Sequence, residues 1–341
     1  MMRVLQAMAG AAVGGAEAFF SRLVPALGRA GLEQRVVIRR NADRARGLRA
    51  ADLDVVELPF GGAIDIYTPI QLKRQIANFR PDVVLSWMNR ASAMCPRGEF
   101  VHVGRLGGYY DLKYYASCDH LIGNTEDIVA HLGEEGWPGD RVHYLPNFVN
   151  GAHEAPWPRA KAFTPDRSPL ILALGRLHAN KAFDVLLRAM ARVPEAYLWI
   201  AGEGPLRGEL LALAERLGVK PRLRILGWRD DVASLYAAAD IVVCPSRFEP
   251  LGNVVIEAWA QSLPIIAADS AGPGALIEHM ETGVLVPVDD HVAMARAIKI
   301  LLTERSLRER VAGAGFAVYS ERFTESVVIE RYMRFFAQIS R

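Results

Sequence analysis

Residues 170–187 read LILALGRLHANKAFDVLL. Five uncharged apolar residues come first, then Gly175 and Arg176, and a segment with helical spacing starts near Lys181. A continuous Leu/Ile run without a polar face is typical of a strand that is buried on both sides, as in a parallel sheet covered by helices. The stretch therefore predicts one strand, a glycine turn at its carboxyl end, and the helix that follows.

The same alternation continues in both directions from this stretch. Short apolar runs alternate with helix-length segments such as 16–29, 69–79 and 126–133, which favours parallel α/β sheets over an all-β or helical-bundle fold. We expect two Rossmann-like, doubly wound domains that face a cleft. The predicted strands are 4–8, 34–39, 55–58, 82–86, 101–103, 120–123 and 142–145 in the first half, and 170–174, 197–201, 223–226, 240–244, 264–267 and 283–286 in the second.

A segment without usable periodicity separates the two halves. Residues 151–169 contain four prolines, and a new strand follows them directly. We therefore predict a first domain over residues 1–150, a linker over 151–169 and a second domain over 170–323. The amphipathic helix predicted over 324–341 could cap either domain.

Composition narrows the class of protein. Of the 341 residues, 51% are hydrophobic, which is enough to bury two cores and argues against disorder. Lys and Arg number 40 against 38 Asp and Glu, so a net charge of +2 gives no reason to expect nucleic acid as a partner. Three widely spaced cysteines argue against a disulfide scaffold. Residues 1–16 fit a buried strand and turn better than a signal peptide, so we expect a cytoplasmic protein.

Glycine-containing turns follow the first predicted strand of each half. Gly14 and Gly15 would let a ligand approach the backbone and would aim helix N–H groups at an anion, although a turn that only packs its helix is equally consistent with the pattern. After the second of these strands, Arg176 and Lys181 add positive charge at a helix start. Since ligands bind at the carboxyl ends of such strands, this second turn predicts a diphosphate site, with two solvated cations as the alternative.

Residues 248–260, FEPLGNVVIEAWA, contain two glutamates eight positions apart. Glu249 lies in the loop after a predicted strand, and Glu257 lies on a helix whose polar residues form one stripe with Asn253 and Gln261. A carboxylate on a mostly apolar helix needs hydrogen-bonding partners, which ribose hydroxyls could supply. Glu249 could accept from sugar hydroxyls, and the backbone N–H groups of residues 252–254 could meet a phosphate. A solvated polar stripe is the alternative.

Taken in order, these motifs resemble the retaining glycosyltransferases of the GT-B fold, specifically family GT4. The resemblance runs along essentially the whole chain and rests on the Gly-Gly turn, Gly175-Arg-Leu with Lys181, Gly202-Glu-Gly-Pro205, Gly227-Trp-Arg-Asp230 and the E-x7-E glutamate pair. It implies transfer of a hexose from a UDP- or GDP-sugar to a glycan or lipid-linked acceptor, in cell-envelope polysaccharide or lipopolysaccharide synthesis. It also implies retention of the anomeric configuration and no need for a metal ion or cofactor.

The resemblance further implies a role for individual residues. Arg176 and Lys181 would neutralise the diphosphate, Glu257 would hold the ribose, and Glu249 would act on the transferred sugar. The final helix would cross back to the first domain. The donor-binding residues that it implies are Gly15, Gly202, Trp228, Arg229, Pro250, Leu251, Gly252, Asn253, Val254 and Glu257.

Two departures from the family pattern bear on the acceptor side and on one turn. Many relatives carry a histidine after the fifth strand of the first domain, whereas here Arg105, Tyr109 and Lys113 lie nearest the expected loop and become the acceptor-side candidates. Ala182 stands where glycine is common in the family.

The acceptor side carries one further signal. Residues 20–49 contain eight arginines against Glu33 and Asp43, a local net charge of +6. This predicts peripheral contact with an anionic membrane, although a solvated charged surface accounts for it equally well. A nucleotide-sugar epimerase or phosphorylase of the same fold, or a two-lobed solute-binding protein, are the alternative functions. A dinucleotide oxidoreductase is least favoured, because neither half opens with GxGxxG.

Overall fold

The computed structural model describes residues 2–12, 14–62 and 64–340, and the chain divides into two compact units. Unit 1 comprises Met1–Phe148 together with Glu325–Arg341, and unit 2 comprises Val149–Thr324. The segment predicted as a linker is thus part of unit 2. There, Trp157 contacts the buried Trp199 edge to face at 5.3 Å, and Arg159 donates to Asp240 at 3.0 Å.

Within its described residues, unit 1 contains a parallel sheet of seven strands in the order β3-β2-β1-β4-β5-β6-β7. Because β1 pairs with β2 on one side and β4 on the other, the winding direction of the chain reverses there, which makes this the switch point of the sheet. The strands are β1 (Arg3–Met8), β2 (Glu33–Arg39), β3 (Asp54–Leu58), β4 (Val83–Trp87), β5 (Val101–Leu106), β6 (His120–Gly123) and β7 (Val142–Tyr144).

Helices cover both faces of this sheet. Val4 and Val36 belong to one apolar cluster and their neighbours Leu5 and Val37 to another, since successive strand residues point to opposite faces. Both faces are therefore buried, as the uninterrupted apolar runs predict. The helices are α1 (Gly15–Arg29), α2 (Ala42–Arg49), α3 (Tyr67–Phe79), α4 (Met88–Met94) and α5 (Glu126–Glu134).

Unit 2, in the part of the chain that the structure describes, repeats the design with six parallel strands in the order β10-β9-β8-β11-β12-β13. Its switch point lies between β8 and β11. The strands are β8 (Leu170–Leu174), β9 (Tyr197–Ala201), β10 (Leu223–Gly227), β11 (Ile241–Cys244), β12 (Ile265–Ala268) and β13 (Val284–Val286). The helices are α6 (Phe183–Met190), α7 (Arg207–Arg216), α8 (Val232–Ala238), α9 (Asn253–Ala260), α10 (Ala271–Leu276), α11 (His291–Thr303) and α12 (Arg305–Arg322).

The last helix, α13 (Glu325–Ile339), belongs to unit 1 although all of unit 2 precedes it in the chain. Its Val328, Tyr332 and Phe336 are fully buried in the same cluster as Phe19 and Trp87. Unit 1 is therefore built from two separate stretches of sequence.

Each strand that the apolar runs predict forms in the structure, which confirms two parallel α/β domains. The largest difference is β5, which continues to Leu106 and not only to Val103. This extension moves Arg105 from the expected loop into the sheet.

Candidate active site

Three glycine turns close the carboxyl ends of β8, β9 and β10 in unit 2. Gly175 and Gly202 have φ of 145° and 152°, a region that favours glycine. The Gly175 N–H donates to Ala201 O at 3.0 Å, and the Gly202 N–H donates to Gly227 O at 2.8 Å. A Cβ at Gly202 would lie 1.9 Å from Gly175 O. The three turns therefore pack backbone against backbone and form one surface at this sheet edge.

Lys181 and Glu249 meet at the switch point of unit 2. Lys181 follows β8, Glu249 follows β11, and the Lys181 Nζ donates to Glu249 Oε2. Their side chains are 24% and 11% exposed, so solvent screens the pair only weakly. Gly175 provides the space for this arrangement, because a Cβ there would lie 3.1 Å from Lys181 Cε.

The surroundings of Lys181 keep its side chain protonated. Burial by itself lowers the pKa of Lys181, but the negative charge of Glu249 and the hydrogen bond to it outweigh burial and raise the pKa above its ordinary value. Glu257 contributes in the same direction. Lys181 is therefore a stable cation at neutral pH.

Arg247 ties the two strand-end loops together. Its guanidinium donates to both carboxylate oxygens of Asp184 in α6 at 2.9 and 2.8 Å and to Ala179 O at 2.8 Å. Its backbone N–H donates to Asn180 O at 2.8 Å. The bidentate pair is geometrically specific, so Arg247 fixes the Lys181 turn relative to the Glu249 loop. Arg247 lies outside the motifs from which the site was predicted.

The E-x7-E segment forms a loop and then α9, as its sequence predicts. Gly252 precedes the helix with φ 69°, and a Cβ there would lie 2.8 Å from Leu276 Cδ1. The Gly272 N–H donates to Glu249 O at 2.7 Å, which fixes the backbone of the catalytic candidate. Pro250, Leu251, Asn253 and Val254 are half-buried around this helix start.

Glu257 lies eight residues after Glu249, on α9, and is half-buried. Its Oε2 accepts from the Tyr236 hydroxyl of α8 at 2.8 Å. Tyr236 is itself 2% exposed, and burial, followed by the charge of Glu257, raises the pKa of this phenol. The phenol therefore stays a hydrogen-bond donor to Glu257. Sequence reasoning missed Tyr236 because it is an apolar-helix residue with no polar signature.

The remaining donor-side candidates differ in their exposure. Arg176 is exposed. Trp228 is 64% exposed, with its indole N–H donating to Asp230 at 3.0 Å. The Arg229 guanidinium is bound by Asp231 and stacks over Trp157 at 4.7 Å. Asp231 occupies the position before α8, where aspartate commonly caps a helix, but its carboxylate makes no cap hydrogen bond and holds Arg229 instead.

In unit 1, Gly15 is the first residue of α1, and a Cβ there would meet nothing within 4 Å. The neighbouring Glu17 carboxylate folds over the turn and accepts from the Ala11 N–H at 2.6 Å. A Cβ at Gly14 would lie 2.3 Å from Glu17 Oε2. Gly14 thus accommodates an internal carboxylate, whereas the sequence suggested space for an external anion at this turn.

Arg105 does not lie in an acceptor-side loop, so that placement was wrong. It is 2% exposed, and its guanidinium donates to the Tyr332 hydroxyl at 2.8 Å and to Asn147 Oδ1 at 2.6 Å. It also lies over the rings of Phe19 and Trp87. Arg105 is a core residue because β5 extends past it. The other two acceptor-side candidates are at the surface: Tyr109 donates to Asp127 and Lys113 pairs with Asp111.

Half of the arginines in residues 20–49 are neutralised by carboxylates. Four of them pair with carboxylates: Arg29 with Glu325, Arg35 with Asp54, Arg46 with Asp43 and Arg49 with Glu57. Arg44 donates to Ala11 O and Ala12 O. Three of the four acids lie outside the segment, so the local sequence count overstated the positive surface.

Within residues 2–12, 14–62 and 64–340, no three His, Cys, Asp or Glu side chains are placed together to hold a metal ion. Across the same described ranges, no helix has both the length and the apolar character to span a membrane.

A cation and two carboxylates thus lie at one sheet edge, beside close-packed backbone turns and the first turn of α9. Such a set can bind a ligand that carries both hydroxyl donors and negative charge, since carboxylates accept from hydroxyls and the lysine and helix N–H groups face anions.

Family models match both halves of the chain. A family model described as Glycosyltransferase Family 4 matches residues 13–152, and one described as Glycosyl transferases group 1 matches residues 168–304. The lipopolysaccharide core biosynthesis glycosyltransferase LpsE of Rhizobium meliloti is 35% identical over 329 residues, covering 95% of this chain and 96% of that protein.

Solved structures share the fold. A glycosyltransferase from Rickettsia africae superposes with a TM-score of 0.89 at 18% identity over 99% of this chain and 98% of its own. Anabaena HepE, solved in complex with UDP, superposes with a TM-score of 0.86 at 18% identity over 99% of this chain and all of its own. The present chain therefore belongs to glycosyltransferase family 4 and has the GT-B fold.

Proposed function

We propose that this chain is a retaining glycosyltransferase of lipopolysaccharide core synthesis, which transfers a hexose from a nucleotide-diphospho-sugar, in the first instance a UDP-sugar, without a metal ion. The observation that carries the proposal is the Lys181–Glu249 pair at the switch point of unit 2, with Glu257 on the next helix.

The charges suit the chemistry of the transfer. When the anomeric bond breaks, negative charge develops on the departing diphosphate and positive charge on the sugar ring. Lys181 and the exposed Arg176 would stabilise the diphosphate, and Glu249 would stabilise the ring and accept from its hydroxyls. Because Lys181 and Glu249 are held by their mutual hydrogen bond before the ligand arrives, they need little reorganisation during the reaction.

Glu257 would bind the ribose hydroxyls. Tyr236 already satisfies one of its oxygens, so the carboxylate is oriented while it can accept further hydrogen bonds. The Trp228–Arg229 backbone, after β10, would lie against the base. In this proposal, unit 1 binds the acceptor.

Two comparisons support the choice of ligands. The relative LpsE carries the name of a lipopolysaccharide core biosynthesis glycosyltransferase, and HepE was solved with UDP. The first supports a lipopolysaccharide core acceptor and the second supports a UDP-sugar over a GDP-sugar.

A thermal-shift panel of UDP, GDP, ADP and their sugars on the full chain tests donor binding, since a ligand that binds only the folded state raises Tm. We expect UDP and one UDP-sugar to raise Tm most, with or without EDTA. Transfer to a truncated lipopolysaccharide core is then followed by NMR, and an α-linked donor should give an α-linked product. A Tm that no nucleotide changes, or an inverted product, contradicts the proposal.

Glu249→Gln tests the site itself. We expect kcat to fall at least about a hundredfold, because a charge that acts mainly in the transition state is lost, while UDP still raises Tm. Glu281→Gln, an exposed glutamate of the same unit, is the matched control and should leave kcat unchanged. Wild-type turnover in Glu249→Gln would overturn the assignment.

A further inference from the structure

Large apolar side chains are concentrated on one part of unit 1. Ile64, Ile66, Tyr67 and Ile70 are 94%, 77%, 52% and 62% exposed. These four lie within seven positions, whereas the other exposed large apolar residues of the described chain are scattered over both units. Single exposed apolar residues are ordinary, but a contiguous group indicates an interaction surface.

Two polar side chains, Asp65 and Thr68, hold the backbone of the loop that carries these residues. The Asp65 carboxylate accepts from the Gly61 N–H at 2.6 Å, the Thr68 N–H at 2.9 Å and the Thr68 hydroxyl at 2.6 Å. Thr68 is fully buried and also accepts from the Phe60 N–H at 3.0 Å. The two polar side chains thus fix the backbone, and the neighbouring isoleucines are exposed to solvent.

The same hydrogen bonds persist over a wide pH range. The hydrogen bond from the Thr68 hydroxyl, followed by the backbone N–H groups of Thr68 and Gly61, lowers the pKa of Asp65 to about 2. The carboxylate therefore remains an acceptor at any physiological pH, and the apolar side chains remain exposed to solvent.

Cations continue the surface along α3. Lys73 and Arg74 are exposed one helical turn after Ile70, and among the described residues neither has a carboxylate within ion-pair distance. Residues three and four apart share a helix face, so Ile66, Ile70, Lys73 and Arg74 form one outward stripe. Apolar residues beside unpaired cations are the composition expected of a helix that lies in the interface of an anionic bilayer.

We propose that Ile64, Ile66, Tyr67, Ile70, Lys73 and Arg74, here called the α3 surface, dock unit 1 onto an anionic lipid bilayer. The apolar residues enter the boundary of the acyl chains, and the two cations contact the headgroups. This surface differs from the arginine-rich segment 20–49, in which four of the eight arginines pair with carboxylates of the protein. The inference does not depend on the donor or on the reaction that we propose.

Cosedimentation of the full chain with vesicles tests the proposal, using phosphatidylcholine alone and phosphatidylcholine mixed with phosphatidylglycerol. We expect binding to the mixed vesicles, and a loss of at least about tenfold in partitioning for Ile66→Ser/Ile70→Ser. Lys73→Glu/Arg74→Glu should lose at least about tenfold on the anionic vesicles, since each cation near such a surface contributes about fivefold.

Matched variants and a second measurement distinguish docking through the α3 surface from dimerisation and from binding through the arginine-rich segment. Val288→Ser/Val292→Ser removes two exposed apolar residues of unit 2 and should bind vesicles like the wild type. The UDP-induced change in Tm, measured on each variant, tests the donor site independently of the lipid. The proposal is overturned if the wild type does not sediment, if only Arg39→Glu/Arg40→Glu releases it, or if sedimentation velocity shows a dimer that Ile66→Ser/Ile70→Ser dissociates.

Discussion

Ala182 has a backbone conformation that glycine adopts at little cost. It precedes α6 with φ 50° and ψ 36°, in the left-handed region, and is fully buried. An L-residue with a Cβ is strained there by about 1–2 kcal/mol. The family resemblance indicated that glycine is common at this position, and the dihedral angles give the physical reason.

Ala182→Gly should therefore raise the free energy of unfolding of unit 2 by about 0.5–1 kcal/mol, because relief of strain exceeds the added entropy of the unfolded glycine. Urea unfolding with an unchanged m value measures it. Ala189→Gly, in the interior of α6, is the control and should lower stability by about 1 kcal/mol or more. A destabilised Ala182→Gly would show that the turn is not strained.

The buried Arg105 side chain predicts a loss of stability when it is removed. Arg105→Ala removes the donor for the Tyr332 hydroxyl and Asn147 and leaves a cavity between Phe19 and Trp87. We expect unit 1 to lose about 3 kcal/mol of stability, while UDP still raises Tm through unit 2. Tyr332→Phe loses one hydrogen bond and should cost about 1 kcal/mol. An inactive but fully stable Arg105→Ala would restore the acceptor-side role.

The position of a single residue could be predicted where it follows directly from the predicted strands. Glu249 and Lys181 follow strands that the apolar runs predict, so their convergence at one sheet edge could be expected. Arg105 could not be placed, because its partners Phe19, Trp87, Asn147 and Tyr332 are brought to it only by the tertiary fold.

Contacts between helices orient the side chains of the candidate site. The Tyr236 hydroxyl of α8 holds the Glu257 carboxylate of α9. Tyr236→Phe should raise the donor KM about fivefold and leave kcat nearly unchanged, because Glu257 binds the donor equally in the ground and transition states. Tyr197→Phe, at the opposite end of a strand in the same sheet, is the control. A fall in kcat with constant KM would assign Tyr236 a different role.

The His120–His143 contact between β6 and β7 predicts a pH dependence for unit 1. The rings are hydrogen-bonded at 3.0 Å, and Phe335 of α13 packs against His143 at 4.7 Å. Burial and then the neighbouring His120 lower the pKa of His143 to about 4, against a weaker opposite effect of Asp140. Burial also lowers the pKa of His120, opposed by Asp119 and Asp140 and assisted by Arg141.

Since these folded pKa values lie below the unfolded value of 6.5, the unfolded chain takes up protons first. The stability of unit 1 should be complete above pH 6.5 and should fall as the pH decreases toward 4. His143→Asn should flatten this dependence in urea unfolding measured across that range, whereas His131→Asn, outside the pair, should keep it. Equal slopes in all three proteins would contradict the coupling.

The positions of helices and turns were predicted more accurately than the side-chain contacts that join them. The polar stripe of α9 and the glycine before it follow from local spacing and turn chemistry, and both are present. The Arg247–Asp184 pair and the Tyr236–Glu257 bond join elements that lie 63 and 21 residues apart in sequence. One sequence contains no signal for such pairings.

At the scale of the molecule, unit 1 depends on α13. Five of its side chains are buried in that unit: Val328, Ile329, Tyr332, Phe335 and Phe336. Alternating strands and helices predicted two parallel domains from sequence alone. Periodicity did not decide which unit the last helix packs against, because an amphipathic helix fits any apolar surface of matching shape.

Truncation after Thr324 should therefore unfold unit 1. At about 2 kcal/mol for each buried side chain, the loss approaches 10 kcal/mol, which is comparable to the whole stability of a domain. Limited proteolysis should cut residues 2–148 and spare unit 2, whereas truncation after Phe336 should retain most protection. A protease-resistant unit 1 without α13 would contradict this estimate.

The placement of α13 also sets an order of events on the ribosome. All of unit 2 is translated before the residues that complete unit 1, so unit 2 can finish folding while unit 1 still exposes an apolar groove over Phe19 and Trp87. The nascent amino-terminal half must remain soluble in this unfinished form until α13 has been translated. A chaperone that covers this groove during synthesis would thus bind the domain that is made first and completed last.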